Sequence, residues 1–296
     1  MATNEADQIL AEAERRWLSD DTEAARAGFE RARAMYREQG DTQGESNALT
    51  LLGDLEMRLH RHEQAREAFV EARTLIASGR EQGDQGGLLA RLGELAHIQG
   101  NNAEARQFYL SAREHFRAGG DLSGEAHVLK RLGHIERADG HEDQALDLYV
   151  AAVGLYRRAG DGLGEARTLR GLAQVERALG HPERAHRHLD ESIGLYRQAG
   201  DMLGEASAQS ALGQLLRGMN QPAETRQAFE LARSLYARAG HVRGEADLCQ
   251  ELAKLEARDD PAKARRHLEA ALRLYTKLGD AAQIERAEKE LRGLGG

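Results

Sequence analysis

The dipeptide Leu-Gly or Leu-Ala returns every 40 residues, at Leu52-Gly53, Leu92-Gly93, Leu132-Gly133, Leu172-Ala173, Leu212-Gly213 and Leu252-Ala253. A period held this strictly makes the chain a stack of like units, and every other motif has to be read in its phase. Ala25, Ala65, Ala105, Ala145, Ala185 and Thr225 keep that phase, with Ala264 one residue early. Four residues after each stands a large apolar side chain: Phe29, Phe69, Tyr109, Tyr149, Leu189, Phe229 and Leu268. Three further on is a small one, as at Ala32, Ala112, Ser192 and Ala271.

Each unit reads as two helices. In the fourth, Val128, Leu129, Leu132, Gly133 and Ile135 fall on one apolar face of the first helix, and Ala145, Tyr149, Ala152 and Tyr156 on one face of the second. Gly-Asp pairs at 40–41, 120–121, 160–161, 200–201 and 279–280 read as a left-handed C-terminal glycine followed by an N-cap aspartate. Glu45, Glu125, Glu165, Glu205 and Glu245 come just inside the next helix, where its dipole is positive. The turn within a unit is marked by Gly100-Asn101-Asn102, Gly180-His181-Pro182 and Asp259-Asp260-Pro261. Ile284, Ala287 and Leu291 form a single apolar stripe near the end of the chain, as a capping helix requires.

These residues resemble the tetratricopeptide repeat family, whose pattern is W-x2-L-G-x2-Y followed by A-x3-F and a further alanine. Leu129, Leu132, Gly133, Glu136, Ala145, Tyr149 and Ala152 stand at those positions in the fourth unit. The 40-residue length and the phrase GD-x-x-GEA, as at 160–166, are similar to the long-repeat arrays of bacterial signalling ATPase regulators and some animal polarity adaptors. The chain departs from the pattern in two ways: Glu56, Glu136, Glu176 and Glu256 replace the usual tyrosine, and the closing proline is absent. The resemblance implies an all-α, right-handed α-solenoid superhelix of about seven helix-turn-helix repeats. Their borders are 6–40, 41–80, 81–120, 121–160, 161–200, 201–240 and 241–279, making one solenoid over 1–279 with a C-terminal capping helix at 280–296.

In such arrays the first helices line a concave wall. With Leu132 and Ile135 turned toward the second helix, Lys130, His134 and Arg137 lie on the opposite face. The same slots hold Arg170, Gln174 and Arg177 one unit on, then Ser210, Gln214 and Arg217. His127, Arg167 and Ser207 extend the row toward the helix starts, with Arg131 at its edge. The second and third units offer Thr50, Asp54 and Met57, and Ala90, Glu94 and His97, in these places. Forked guanidinium groups suit carboxylate or phosphate. The expected function is therefore a scaffold or adaptor that holds an acidic protein segment, or a free C-terminus, in the groove. The bland alternative is that these arginines are solvated or paired with glutamates of neighbouring units, Glu136 and Glu176 among them. The competing function is self-assembly into a homo-oligomer.

Other residues read as structure. Tyr36, Tyr156, Tyr196, Tyr236 and Tyr275 share a slot with Ile76 and Phe116, so the slot selects bulk and not a hydroxyl. His60 and His62, like His186 and His188, diverge around a helix and do not make a metal pair. Cys249 takes the core slot of Leu129 and Leu169. The junction at 78–87 reads as having lost its Gly-Asp cap and gained glycines inside the coming helix, at a cost of about 1 kcal/mol each. That predicts a frayed helix start or a hinge at 79–87.

Composition narrows the function classes. A formal net charge of -8 opposes nucleic acid. One cysteine makes no intrachain disulfide. No stretch approaches the roughly 18 apolar residues of a membrane span, and the start has no basic segment leading an apolar one, so a soluble, cytoplasmic protein is expected. No nucleophile, base or metal cluster stands apart from the repeat phase, so no enzyme, catalytic residue, metal or cofactor is implied.

Overall fold

A computed structural model describes residues 4–78 and 84–294, which form fifteen α-helices. The first helices of successive repeats are α1 (Glu5–Leu18), α3 (Thr42–Arg58), α5 (Gln85–Ile98), α7 (Leu122–Ala138), α9 (Gly162–Ala178), α11 (Met202–Gly218) and α13 (Val242–Glu256). Their partners are α2 (Thr22–Gln39), α4 (His62–Ser78), α6 (Asn102–Gly119), α8 (Glu142–Ala159), α10 (Pro182–Ala199), α12 (Pro222–Arg238) and α14 (Pro261–Leu278), and α15 (Ala281–Gly293) closes the series. The helices gather into two compact units, Met1–Leu132 and Gly133–Gly296. Each is an α-solenoid of stacked helix pairs.

In both units the glycine of the Leu-Gly dipeptide marks a close approach of the two helices of a repeat. A Cβ on Gly93 would come 2.8 Å from the Tyr109 ring, and one on Gly133 would come 3.0 Å from the Tyr149 ring. The aromatic ring fills the space that the missing side chain leaves, and Tyr109 and Tyr149 are fully buried. Consecutive repeats are joined differently. Arg37 reaches Glu45 in the next helix at 2.6 Å, and Arg113 reaches Glu125 at 3.0 Å, both within Met1–Leu132. Arg157 to Glu165 at 2.5 Å and Arg197 to Glu205 at 2.6 Å repeat the clamp within Gly133–Gly296. Glu45, Glu125, Glu165 and Glu205, which the sequence places near the helix dipole, thus also hold an arginine, eight residues earlier in three pairs and twelve in Arg113–Glu125.

The glutamates that stand in for the family's tyrosine are buried, and each has a basic side chain beside it. Arg26 lies 2.8 Å from Glu56, and Lys263 lies 3.0 Å from Glu256, which also pairs with Arg226. His141 and His181 donate to Glu136 and Glu176, each at 2.8 Å. Burial pushes the Glu56 carboxyl above its ordinary range against the pull of Arg26. Burial also acts on Glu256, but hydrogen bonds from Lys263 and Arg226 outweigh it and hold that carboxyl low.

Two expectations change. The recurring tyrosines pack as rings, yet their hydroxyls are used: Tyr36 donates to Asp7 at 2.6 Å, Tyr275 to Asp247 at 2.8 Å, and Tyr236 to Ser207 at 3.3 Å. The irregular junction keeps its cap. Asp84 is the N-cap of α5, its Oδ1 accepting from the Gly87 backbone N–H at 2.7 Å, as Asp41 accepts from Gly44 at 2.8 Å. The cap has moved three residues along the chain, so α5 is 14 residues long where α3 and α7 are 17. Gly86 and Gly87 are buried and helical, and a Cβ on Gly86 would come 2.9 Å from the Phe116 ring. The frayed start is therefore not found from Asp84 onward; the part of the expected hinge at 79–83 lies outside the described residues.

At the end of the chain, Ala287 of α15 is fully buried and Ile284 packs on the cluster of Cys249, Ala271 and Tyr275. No described helix is long and apolar enough to cross a membrane.

Candidate partner-binding wall

The predicted wall residues divide between the two units. In Met1–Leu132, Arg131 pairs with Glu94 of the preceding first helix, 37 residues back, and Arg91 holds Asp54 in the same relation at 2.8 Å. Here the wall is a ladder of paired charges. Lys130 and His127 flank it, both half-buried. Burial, reinforced by Lys130, Arg131 and Arg91, lowers the His127 pKa to about 4. This imidazole is neutral near pH 7 and accepts from Arg131 Nε at 3.5 Å.

In Gly133–Gly296 the pattern differs. His134 Nδ1 lies 2.8 Å from the Tyr149 hydroxyl, and Arg137 lies beside the same hydroxyl; burial still raises that phenol's pKa, with Arg137 opposing it. Arg217 pairs with Glu251 of α13. On α9, however, no described carboxylate pairs with Arg167, Arg170 or Arg177, whereas Arg91, Arg131 and Arg217 are each paired. Their nominal partners are occupied: Glu136 holds His141, and Glu176 holds His181 with Arg184 at 3.9 Å.

The spacing of Arg167, Arg170, Gln174 and Arg177 places them on one face of α9. Arg167, Gln174 and Arg177 are exposed and Arg170 is half-buried. Gln174 and Arg177 share a shallow depression with Gln214 of α11, floored by Leu189 and Leu215. Burial raises the Tyr196 phenol, opposed by Arg170 and Arg167, which places the hydroxyl against the arginine row. The sequence missed this tyrosine as part of the wall; the polar residue 29 positions before it, as in Asp7 and Tyr36, was the available signal. Among the described residues no group of three or more His, Cys, Asp or Glu is placed to hold a metal ion.

Comparison with known proteins agrees with this architecture. A family model for the tetratricopeptide repeat matches residues 84–158 and 124–198. No curated protein sequence matches the chain. Its fold is similar to the crystal structure of the apo form of RapI, at 13% identity over 96% of this chain and 80% of that one, with a TM-score of 0.75. It is similar to the apo form of the quorum sensor NprR from B. thuringiensis, at 11% identity over 98% of this chain and 87% of that one, with a TM-score of 0.68. A signal transduction ATPase with a tetratricopeptide repeat sensor from Pyrococcus horikoshii matches at 12% identity and a TM-score of 0.71, over 98% of this chain and 48% of that one. The family model, the fold and the Gly-to-ring packing agree: residues 84–198 match the tetratricopeptide repeat, and the described helices on either side are paired in the same way.

Proposed function

We propose that this protein is an interaction scaffold that binds an acidic or carboxylate-bearing segment of a partner protein along α9. The observation that carries the reading is a contrast within the Gly133–Gly296 unit: Arg217 is paired with Glu251 of the next first helix, as Arg131 and Arg91 are paired in the other unit, while no described carboxylate pairs with Arg167, Arg170 or Arg177. Three uncompensated guanidinium groups on one helix face, in a chain of net charge -8, are held at a cost in mutual repulsion that an anionic ligand removes. Gln174 and Gln214 beside Arg177 supply neutral donors and acceptors for the backbone of an extended segment. Structural neighbours described as a quorum sensor, NprR, and as a signal transduction ATPase with a tetratricopeptide repeat sensor support a recognition role here. Affinity capture from native lysate, comparing wild type with Arg170→Glu/Arg177→Glu, tests it: acidic partners held by the wild type are released by the variant, and an unchanged partner set overturns the reading.

A further inference from the structure

The shortened α5 borders a cavity of about 300 Å3 inside the Met1–Leu132 unit, where α1, α3, the end of α4 and the start of α5 meet. Leu10, Leu51, Ile76 and Leu88 give it apolar walls, and Glu14 and Asp84 bring carboxylates to it. Neither carboxylate is paired with a cation among the described residues. Asp84 commits Oδ1 to the Gly87 N–H and leaves Oδ2 unused by that cap. The one cation at the cavity, Arg91, is already matched, its Nε lying 2.8 and 3.0 Å from the two oxygens of Asp54. The nearby hydroxyls are committed as donors: Thr50 to the Ser46 carbonyl at 2.8 Å, and Ser46 to the Ala72 carbonyl at 3.3 Å.

The cavity thus combines apolar walls with two carboxylates that make no ion pair, Asp84 being within electrostatic range of Arg91. An anion is repelled there. A purely apolar side chain desolvates the carboxylates and gives them nothing in return. A metal ion has two carboxylates there and no third His, Cys, Asp or Glu grouped with them among the described residues. A volume near 300 Å3 is at the bottom of the range for small-molecule sites, and suits one long side chain better than a folded element. Lysine and arginine are the side chains with an apolar stem and a charged head. We propose that this cavity receives a lysine or arginine side chain from an extended partner segment, the stem against Leu10, Leu51 and Leu88 and the head between Glu14 and Asp84. The site is independent of the acidic-segment reading, since α9 belongs to the other unit.

The test is selection of a displayed random heptapeptide library on the full-length protein, on Glu14→Arg and on Arg170→Glu/Arg177→Glu. Peptides with a lysine or arginine are enriched on the wild type and on the α9 variant, and the best of them binds Glu14→Arg at least tenfold more weakly. Absence of basic enrichment on the α9 variant, or equal binding to Glu14→Arg, overturns the proposal. Glu14 is exposed and makes no ion pair, so the variant keeps the wild-type melt; should it fail to fold, Glu14→Gln replaces it, with weaker binding of the same peptide expected and equal binding contradicting the proposal. Loss of acidic peptides alone on Arg170→Glu/Arg177→Glu reports on α9 and leaves this outcome separate.

Discussion

Arg157 Nε donates to Glu165 Oε1 at 2.5 Å, tying the second helix of one repeat to the first helix of the next, and Glu165 is only 7% exposed. Removing the partner of a buried carboxylate costs about 3–5 kcal/mol when both groups are buried. Arg157 is half exposed, so solvent and its second contact at Glu191 reduce the figure. Arg157→Ala is expected to lower unfolding stability by about 1–2 kcal/mol. Urea denaturation measures it, and a change below about 0.3 kcal/mol contradicts the clamp as a stabilising contact.

The lowered His127 pKa sets a pH dependence whose sign is fixed. Between the ordinary histidine value near 6.5 and the native value of about 4, the unfolded chain binds a proton that the native chain does not. Its contribution is fully present above pH 6.5 and is lost as pH falls toward 4. NMR titration of the imidazoles is expected to show one resonance with a midpoint near 4, and His127→Gln is expected to flatten the loss of stability over that interval. A His127 midpoint near 6.5 contradicts the packing described around it.

The glycines separate by what surrounds them. Gly154 lies inside α8, is exposed, and has nothing within 4 Å of the site a Cβ would take. Gly154→Ala is expected to stabilise by about 0.5–1 kcal/mol, since it removes unfolded-state freedom without a clash. Gly93 is packed on the Tyr109 ring with 2.8 Å available, so Gly93→Ala is expected to destabilise by about 1–3 kcal/mol. Thermal melts of the two variants, shifted in opposite directions, check the pair.

How much of this was legible in the sequence depended on whether a feature repeats in phase. Gly133 facing Tyr149, the core place of Cys249 and the aspartate caps all follow from a 40-residue register, and the structure places them so. The cap at Asp84 was misread because it is displaced by three residues and the register was held rigid. The partners of Glu56 and Glu256 lie 30 residues away on a second helix, at Arg26 and Arg226, a spacing that no single-helix pattern carries. The wall was legible as a row of basic residues. Which of them are neutralised was not, because Arg131 and Arg217 find carboxylates on different neighbouring helices, 37 and 34 residues away in opposite chain directions.

That distinction between paired and unpaired arginines is the centre of the functional account, and one binding measurement addresses it. Fluorescence anisotropy with a labelled, capped hexaglutamate peptide compares the wild type with Arg177→Gln, Arg217→Gln and Arg170→Glu/Arg177→Glu. A charge-assisted hydrogen bond contributes about 1.5–3 kcal/mol, so loss of Arg177 is expected to weaken binding roughly tenfold or more. Arg217, already bound to Glu251, is expected to change it by less than about twofold, and the double reversal is expected to abolish it. Equal loss from Arg177→Gln and Arg217→Gln, or binding that survives the double reversal, contradicts the account.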